Sequence, residues 1–109
     1  MKVAVASSDG IMVNQHLGKA TRFLIYDDSA VLLETRTARP PRPGDDLVQE
    51  SHLARQLELV GDCAAVIAMR IGPGAKEDLL LRGIVPVEAP GPVEAAVRSF
   101  LSRRVGMIT

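Results

Sequence analysis

Apolar and polar positions along the chain follow two rhythms, and the change falls near residue 40. Before it the pattern is strand-like. Lys2–Ser7 is a short apolar run that ends in the turn cluster Ser7-Ser8-Asp9-Gly10. Arg22–Asp27 and Val31–Thr37 are separated only by Asp28-Ser29-Ala30, and a gap that short predicts an antiparallel hairpin. Ile11–Val13 is a further, shorter strand candidate. The stretch Ala38-Arg39-Pro40-Pro41-Arg42-Pro43-Gly44 reads as an exposed connector, because proline fixes φ and removes backbone donors. It is too short to separate two domains.

Beyond the connector, helical and strand patterns alternate. Asp46-Leu47-Val48-Gln49 resembles a capping box. Leu53, Leu57 and Val60 then recur at helical spacing until Gly61. Ala64–Met69 is wholly apolar, as in the buried middle of a sheet. Gly72-Pro73-Gly74 turns into a second helix through Lys76–Arg82, stopped by Gly83, and Ile84–Val87 is a short strand. Pro92 suits the first position of a third helix, with Glu94 near its positive end. Val93, Ala96, Val97, Phe100 and Leu101 give that helix an apolar face, and Arg103 and Arg104 suit its negative end. The order predicts an α/β fold: a mixed five-stranded sheet with an antiparallel hairpin, right-handed parallel crossovers and three helices. One domain over residues 1–104 and a short tail over 105–109 follow.

Composition narrows the partners. The chain has 109 residues, and 13 basic residues balance 13 acidic ones. A general nucleic-acid binder usually carries a basic excess. Phe23, Tyr26 and Phe100 are the only aromatic residues, too few for a platform that stacks bases. Apolar runs such as Ala64–Met69 fall far short of the roughly 20 residues that span a bilayer. The opening Met1-Lys2-Val3-Ala4-Val5 lacks the long apolar core of a signal peptide. One cysteine, Cys63, cannot form an internal disulfide or a four-cysteine metal site. A cytoplasmic protein with no nucleic-acid or membrane partner is expected.

Two loops are candidates for chemistry. Asn14-Gln15-His16-Leu17-Gly18 follows the first strand; imidazole is a good ligand for iron, zinc or copper, and Gly18 lets a ligand approach the backbone. An ordinary polar loop whose histidine caps a carbonyl fits the same residues. Ile71-Gly72-Pro73-Gly74-Ala75 lies between a buried strand and a helix, where backbone N–H groups bind anions; a tight turn without a ligand fits it equally. Both loops leave strands at their carboxyl ends, so they converge on one edge if those strands are parallel neighbours.

Other groups read more blandly. Cys63, at the entry to an apolar strand, reads as a buried small hydrophobe. His52 reads as a surface histidine, since its neighbours one turn on, Arg55 and Gln56, are polar. Arg36, Arg39 and Arg42 could share a basic edge in an extended segment, or be solvated loop charge. The first strand carries no acid, and Asp9 has no obvious partner, which argues against two-metal nuclease chemistry. Phosphate-loop, zinc-protease and serine-hydrolase motifs are lacking.

Met1-Lys2-Val3-Ala4-Val5-Ala6-Ser7-Ser8-Asp9-Gly10 followed by Val13-Asn14-Gln15-His16-Leu17-Gly18 resembles the opening of the dinitrogenase iron–molybdenum cofactor biosynthesis family, which includes NifX, NafY and the C-terminal domain of NifB. Phe23-Leu24-Ile25-Tyr26, Asp62-Cys63-Ala64-Ala65-Val66, Arg70-Ile71-Gly72-Pro73-Gly74-Ala75, Gly83-Ile84 and Glu94-Ala95-Ala96 continue the likeness, which covers roughly residues 1–101. The resemblance implies a ribonuclease H-like fold without nuclease activity. It also implies a small non-enzymatic carrier whose cargo is an iron–sulfur or iron–molybdenum cluster precursor and whose partners are cofactor-assembly or acceptor proteins. The loop histidine of the family's His-Phe-Gly motif, its leading cluster-ligand candidate, maps onto His16, with Leu17 where phenylalanine is common. Asn14, Gln15, Gly18, Gly72 and Gly74 would complete the binding surface. Some members carry a cysteine in the glycine loop; here Gly72-Pro73-Gly74 has none, so one histidine plus backbone donors would hold a preassembled anionic cluster. A different class remains open: a regulatory or interaction module of the same fold that has lost the cluster and docks a protein on the arginine loop.

Overall fold

Val3–Ala6 (β1) and Ala65–Ala68 (β5) carry only apolar side chains, and all eight residues are fully buried. Strands covered on both faces belong in the middle of a sheet, and there they lie, paired in parallel with Val3 opposite Ala65 and Val5 opposite Ile67. The computed structural model describes residues 1–37 and 55–108, the last five as backbone alone. The remaining elements are β2 (Met12–Val13), a 3-10 turn (Leu17–Lys19), β3 (Arg22–Tyr26), β4 (Leu32–Thr37), α1, described over 55–59, α2 (Pro73–Leu81), β6 (Val85–Glu88), β7 (Gly91–Pro92) and α3 (Val93–Ile108).

The main sheet has the order β4-β3-β1-β5-β6. β3 runs antiparallel to both β1 and β4, while β5 and β6 are parallel. The mixed five-stranded sheet, its hairpin and its helices thus match the sequence pattern. Alternation of side chains splits the core into two layers. Ala4, Ala6, Phe23, Ile25, Val66 and Ala68 face Leu57, Val60, Ala75 and Leu79 from the α1 and α2 side. Val3, Val5, Leu24, Ala65 and Ile67 face Val93 and Val97 of α3.

Element ends differ from the sequence pattern in physically instructive ways. α2 begins at Pro73, not Lys76, because proline is favourable at the first helical position. It ends as expected at Gly83, whose φ of 76° closes the helix. Gly83 N–H donates to Leu80 O and Ile84 N–H to Leu79 O, a Schellman cap with buried Ile84 against buried Leu79. Pro92 is not helical. It pairs with Met12 in a second, two-stranded sheet of β2 and β7, and α3 starts one residue later. α3 also runs to Ile108, so Arg103 and Arg104 do not occupy its last turn and the expected tail is helical through residue 108. The capping box at Asp46–Gln49 and the proline connector lie outside the described residues. Among the described residues, no helix is long and apolar enough to cross a membrane.

A polar lock holds the hairpin to the turn after α1. Arg36 donates to both carboxylate oxygens of Asp62 at 2.6 and 2.9 Å, to Glu34 at 2.7 Å and to the Leu59 carbonyl at 2.7 Å. Lys2 adds a bond to Asp62 at 3.0 Å. Hydrogen bonds from Arg36 and then Lys2 hold the Asp62 carboxyl well below the usual carboxylate range. A depressed carboxyl stabilises the fold above its unfolded-state value, and that stability is lost as pH falls through the folded-state value. Asp62 is about half exposed, so the lock contributes no more than about 1 kcal/mol. Asp62→Asn should therefore cost a little at neutral pH and flatten the loss of stability below about pH 4. Urea unfolding of both proteins across that range measures it; parallel pH curves would show that the lock does not matter.

Candidate functional site

The parallel pairing of β1 with β5 puts the loops that leave them at one edge of the sheet, as the sequence topology predicts. After β1 and β2 the chain pairs again: Met69 N–H donates to the Gln15 carbonyl and Leu17 N–H to the Arg70 carbonyl, both at 3.0 Å. These bonds make an isolated parallel bridge between His16 and Arg70. His16 is consequently two residues from Gly72, at the start of α2, through its bridge partner.

Backbone and polar side chains fix the His16 loop. Asn14 accepts from Ser8 N–H at 3.0 Å and donates to the Ser8 hydroxyl at 2.9 Å. Gln15 accepts from Thr21 N–H and donates to the Thr21 hydroxyl, each at 3.3 Å. Both amides brace the loop, a role that the residue pattern alone does not assign. The buried Ser7 hydroxyl donates to Met12 O at 2.6 Å and accepts from Gly10 N–H. Asp9 accepts from the Ile11 and Met12 N–H groups, which hold its carboxyl below the usual range. Asp9 is thus a turn-building group. Leu17 is fully buried, and Gln56 of α1, also fully buried, donates to Ala20 O at 2.7 Å.

His16 itself is exposed, caps nothing with its side chain, and precedes the 3-10 turn in extended conformation. Across the bridge, Gly72 caps α2 in extended conformation and its carbonyl accepts from Lys76 N–H at 2.9 Å. Gly18, Gly72 and Gly74 are exposed, and a Cβ at any of them would meet no atom within 4 Å. None has the left-handed backbone found at Gly10, Gly83 and Gly91. The fold does not require glycine at these three positions, and the space a side chain would fill is open to an approaching ligand.

Charge around this open space is mixed but mostly cationic. Arg70 lies in the bridge and Lys19 in the 3-10 turn, both exposed. Lys76 pairs with Glu88, whose carboxyl is held low first by that lysine and also by the Ile71 N–H and the nearby Arg70. The partial positive charge at the start of α2 adds to the cationic side.

Other candidates fall away from this edge. Cys63 is buried at 5% exposure, beyond the opposite end of β5 and seven residues before Arg70, about 23 Å of extended chain away. Burial, then the neighbouring Asp62, pushes its thiol up to about 11. Arg36 lies in β4 and is committed to Asp62, so the arginine edge does not begin there; Arg39 and Arg42 lie outside the described residues. His52 does too, while Gln56, one turn on from it in the sequence, is buried. Among the described residues no three His, Cys, Asp or Glu side chains gather to hold a bare metal ion. The donor set suits a ligand that brings most of its own coordination sphere.

Comparison with known proteins is consistent along the whole described fold. The family profile described as dinitrogenase iron-molybdenum cofactor matches residues 1–103. The FeMo cofactor biosynthesis protein NifB of Frankia alni is 39% identical over 108 residues, which is 94% of this chain and 21% of that protein. Protein NifX of Azotobacter vinelandii is 33% identical over 92 residues, 81% of this chain and 56% of NifX. The chain therefore spans about a fifth of NifB and just over half of NifX. The crystal structure of PH0822 superimposes with a TM-score of 0.70 over 94% of this chain and 89% of that one, at 22% identity, and shares the fold.

Proposed function

We propose that this chain, which belongs to the dinitrogenase iron-molybdenum cofactor family, is a cytoplasmic, non-catalytic carrier in nitrogenase-type cofactor biosynthesis. It holds an iron–sulfur or iron–molybdenum cluster precursor as cargo and passes it to an assembly or acceptor protein. The observation that supports this reading is the backbone bridge from His16 to Arg70, two residues before Gly72, with His16 exposed and open space where a Cβ would lie at Gly18, Gly72 and Gly74. His16 would supply one exchangeable bond to a metal of the cluster. The N–H groups of Gly74 and Ala75, with Gly72 and Gly18 leaving room, would face the anionic sulfides. Asn14 and Gln15 would hold the loop rather than touch the cargo. A site with one protein ligand favours transfer over permanent retention. The strand order is compatible with a ribonuclease H-like fold, and the carboxylate of Asp9 serves a turn.

Anaerobic titration of the full chain with a synthetic or extracted cluster precursor, followed by its visible absorption, tests the proposal. Saturable binding supports it. No spectral change with any such cluster would leave an interaction module as the better reading. Cys63→Ser should bind as the wild type does, because a buried thiol that keeps its proton is a poor ligand. A large loss of binding in that variant, with the circular dichroism unchanged, would make Cys63 a ligand.

A further inference from the structure

The two edges of the main sheet are built differently. β6 forms one edge, and its bonding phase follows from two contacts: Val85 N–H donates to Ala64 O and Ala89 N–H to Ala68 O. Pro86 and Glu88 then face outward, so the middle of this edge presents a proline with no N–H to donate. A further strand finds little to pair with there.

β4, the other edge among the described residues, contains no proline, and its irregularity is confined to the hairpin end, between the Ile25–Glu34 and Tyr26–Leu32 pairs. Its bonding phase also follows from the ladder. Ser7 N–H donates to Arg22 O, so the backbone groups of Arg22 and Leu24 face β1 and those of Phe23 and Ile25 face β4. Arg36 and Glu34, their partners, turn their backbone groups inward. Thr35 and Thr37 turn theirs outward, to an exposed edge.

Only some antiparallel registers between two such edges are possible. Outward groups must meet outward groups, so the two-fold axis must pass through a residue position. Centring on residue 34 opposes two glutamates, and centring on residue 36 opposes two arginines; like charges directly opposite are destabilising. Centring on residue 35 exchanges both backbone bonds between the two Thr35 residues. It also sets Glu34 of each chain opposite Arg36 of the other. Because Arg36 already bonds Glu34 within its own chain at 2.7 Å, the four charges would alternate around a rectangle.

We infer that β4 is a self-association edge, on which a second copy of this chain pairs antiparallel about Thr35 to make a continuous ten-stranded sheet. The contact is small, so the dimer is weak, with a dissociation constant in the range of about 10 µM to 1 mM. It forms at the lateral edge of the sheet, two strands from β1, and does not depend on cluster binding.

Sedimentation equilibrium of the full chain over that concentration range, with amide hydrogen exchange in parallel, tests the inference. Wild type should dimerise, and the Thr35 amide should gain protection with concentration while those of Glu34 and Arg36 stay protected throughout. Thr35→Pro removes only an outward donor, so it should raise the dissociation constant at least about tenfold with an unchanged circular dichroism spectrum. A wild-type chain still monomeric at about 1 mM overturns the inference. So does a Thr35 amide whose exchange is independent of concentration, or a folded Thr35→Pro protein that dimerises as wild type does. The exchange measurement decides the matter even if that variant does not fold.

Discussion

Replacing His16 with alanine is expected to weaken cluster binding at least about tenfold, or about 1.4 kcal/mol, while shifting stability by no more than about 0.5 kcal/mol. The separation of the two effects follows from how the loop is built. His16 is exposed and its side chain caps nothing. What holds it in place is backbone: its carbonyl accepts from Lys19 N–H at 3.0 Å, and its neighbours bond Met69 and Arg70 across the bridge. Alanine keeps all of these bonds. It removes the only imidazole among the described residues, where no three His, Cys, Asp or Glu side chains gather to hold a metal ion. Anaerobic titration of wild type, His16→Ala and His52→Ala, with thermal unfolding of each, makes the measurement. Wild-type affinity in His16→Ala would remove the residue from the site, and a loss confined to His52→Ala would move the site elsewhere.

The legible parts of this site are those that follow from local pattern and topology. The all-apolar β5 reads as a central strand, the short gap at residues 28–30 reads as a hairpin, and a parallel pairing of β1 with β5 would then put the two loops at one edge. The start of α2 was blurred because Gly72-Pro73-Gly74 reads as a turn, although proline at the first position and glycine behind it are compatible with a helix. The braces were not legible at all. Asn14 meets Ser8 six residues back, and Gln15 meets Thr21 six residues on, so no helical or strand period marks either pair. Arg36 meets Asp62 across 26 positions. β7 is two residues long and pairs with a strand nearly 80 residues earlier, and such a contact leaves no trace in a local window. Amides beside a candidate ligand read as further ligands when the polar groups they already satisfy are out of view.

Leu17, the residue after His16, should behave in the opposite way. Its side chain is fully buried in the layer that contains Ala4, Phe23, Val66 and Leu79, and its amide bonds the Arg70 carbonyl. It is the apolar plug that seats the loop in the core, at a position that asks for volume away from solvent. Leu17→Ala removes three carbons from a closely packed layer and leaves a cavity, at a cost of about 2–5 kcal/mol. A domain of this size has about 5–15 kcal/mol in total, so the variant should unfold at a much lower urea concentration and lose binding with its fold. Leu17→Met, close in volume, should cost less than about 1.5 kcal/mol and keep the binding. Urea unfolding of the three proteins, with titration at a temperature where each is folded, separates seating from ligation. A loss below about 1 kcal/mol in Leu17→Ala would mean that the loop is held by its backbone bridge and polar braces alone, and the burial of Leu17 would then be a consequence of the loop's position rather than its cause.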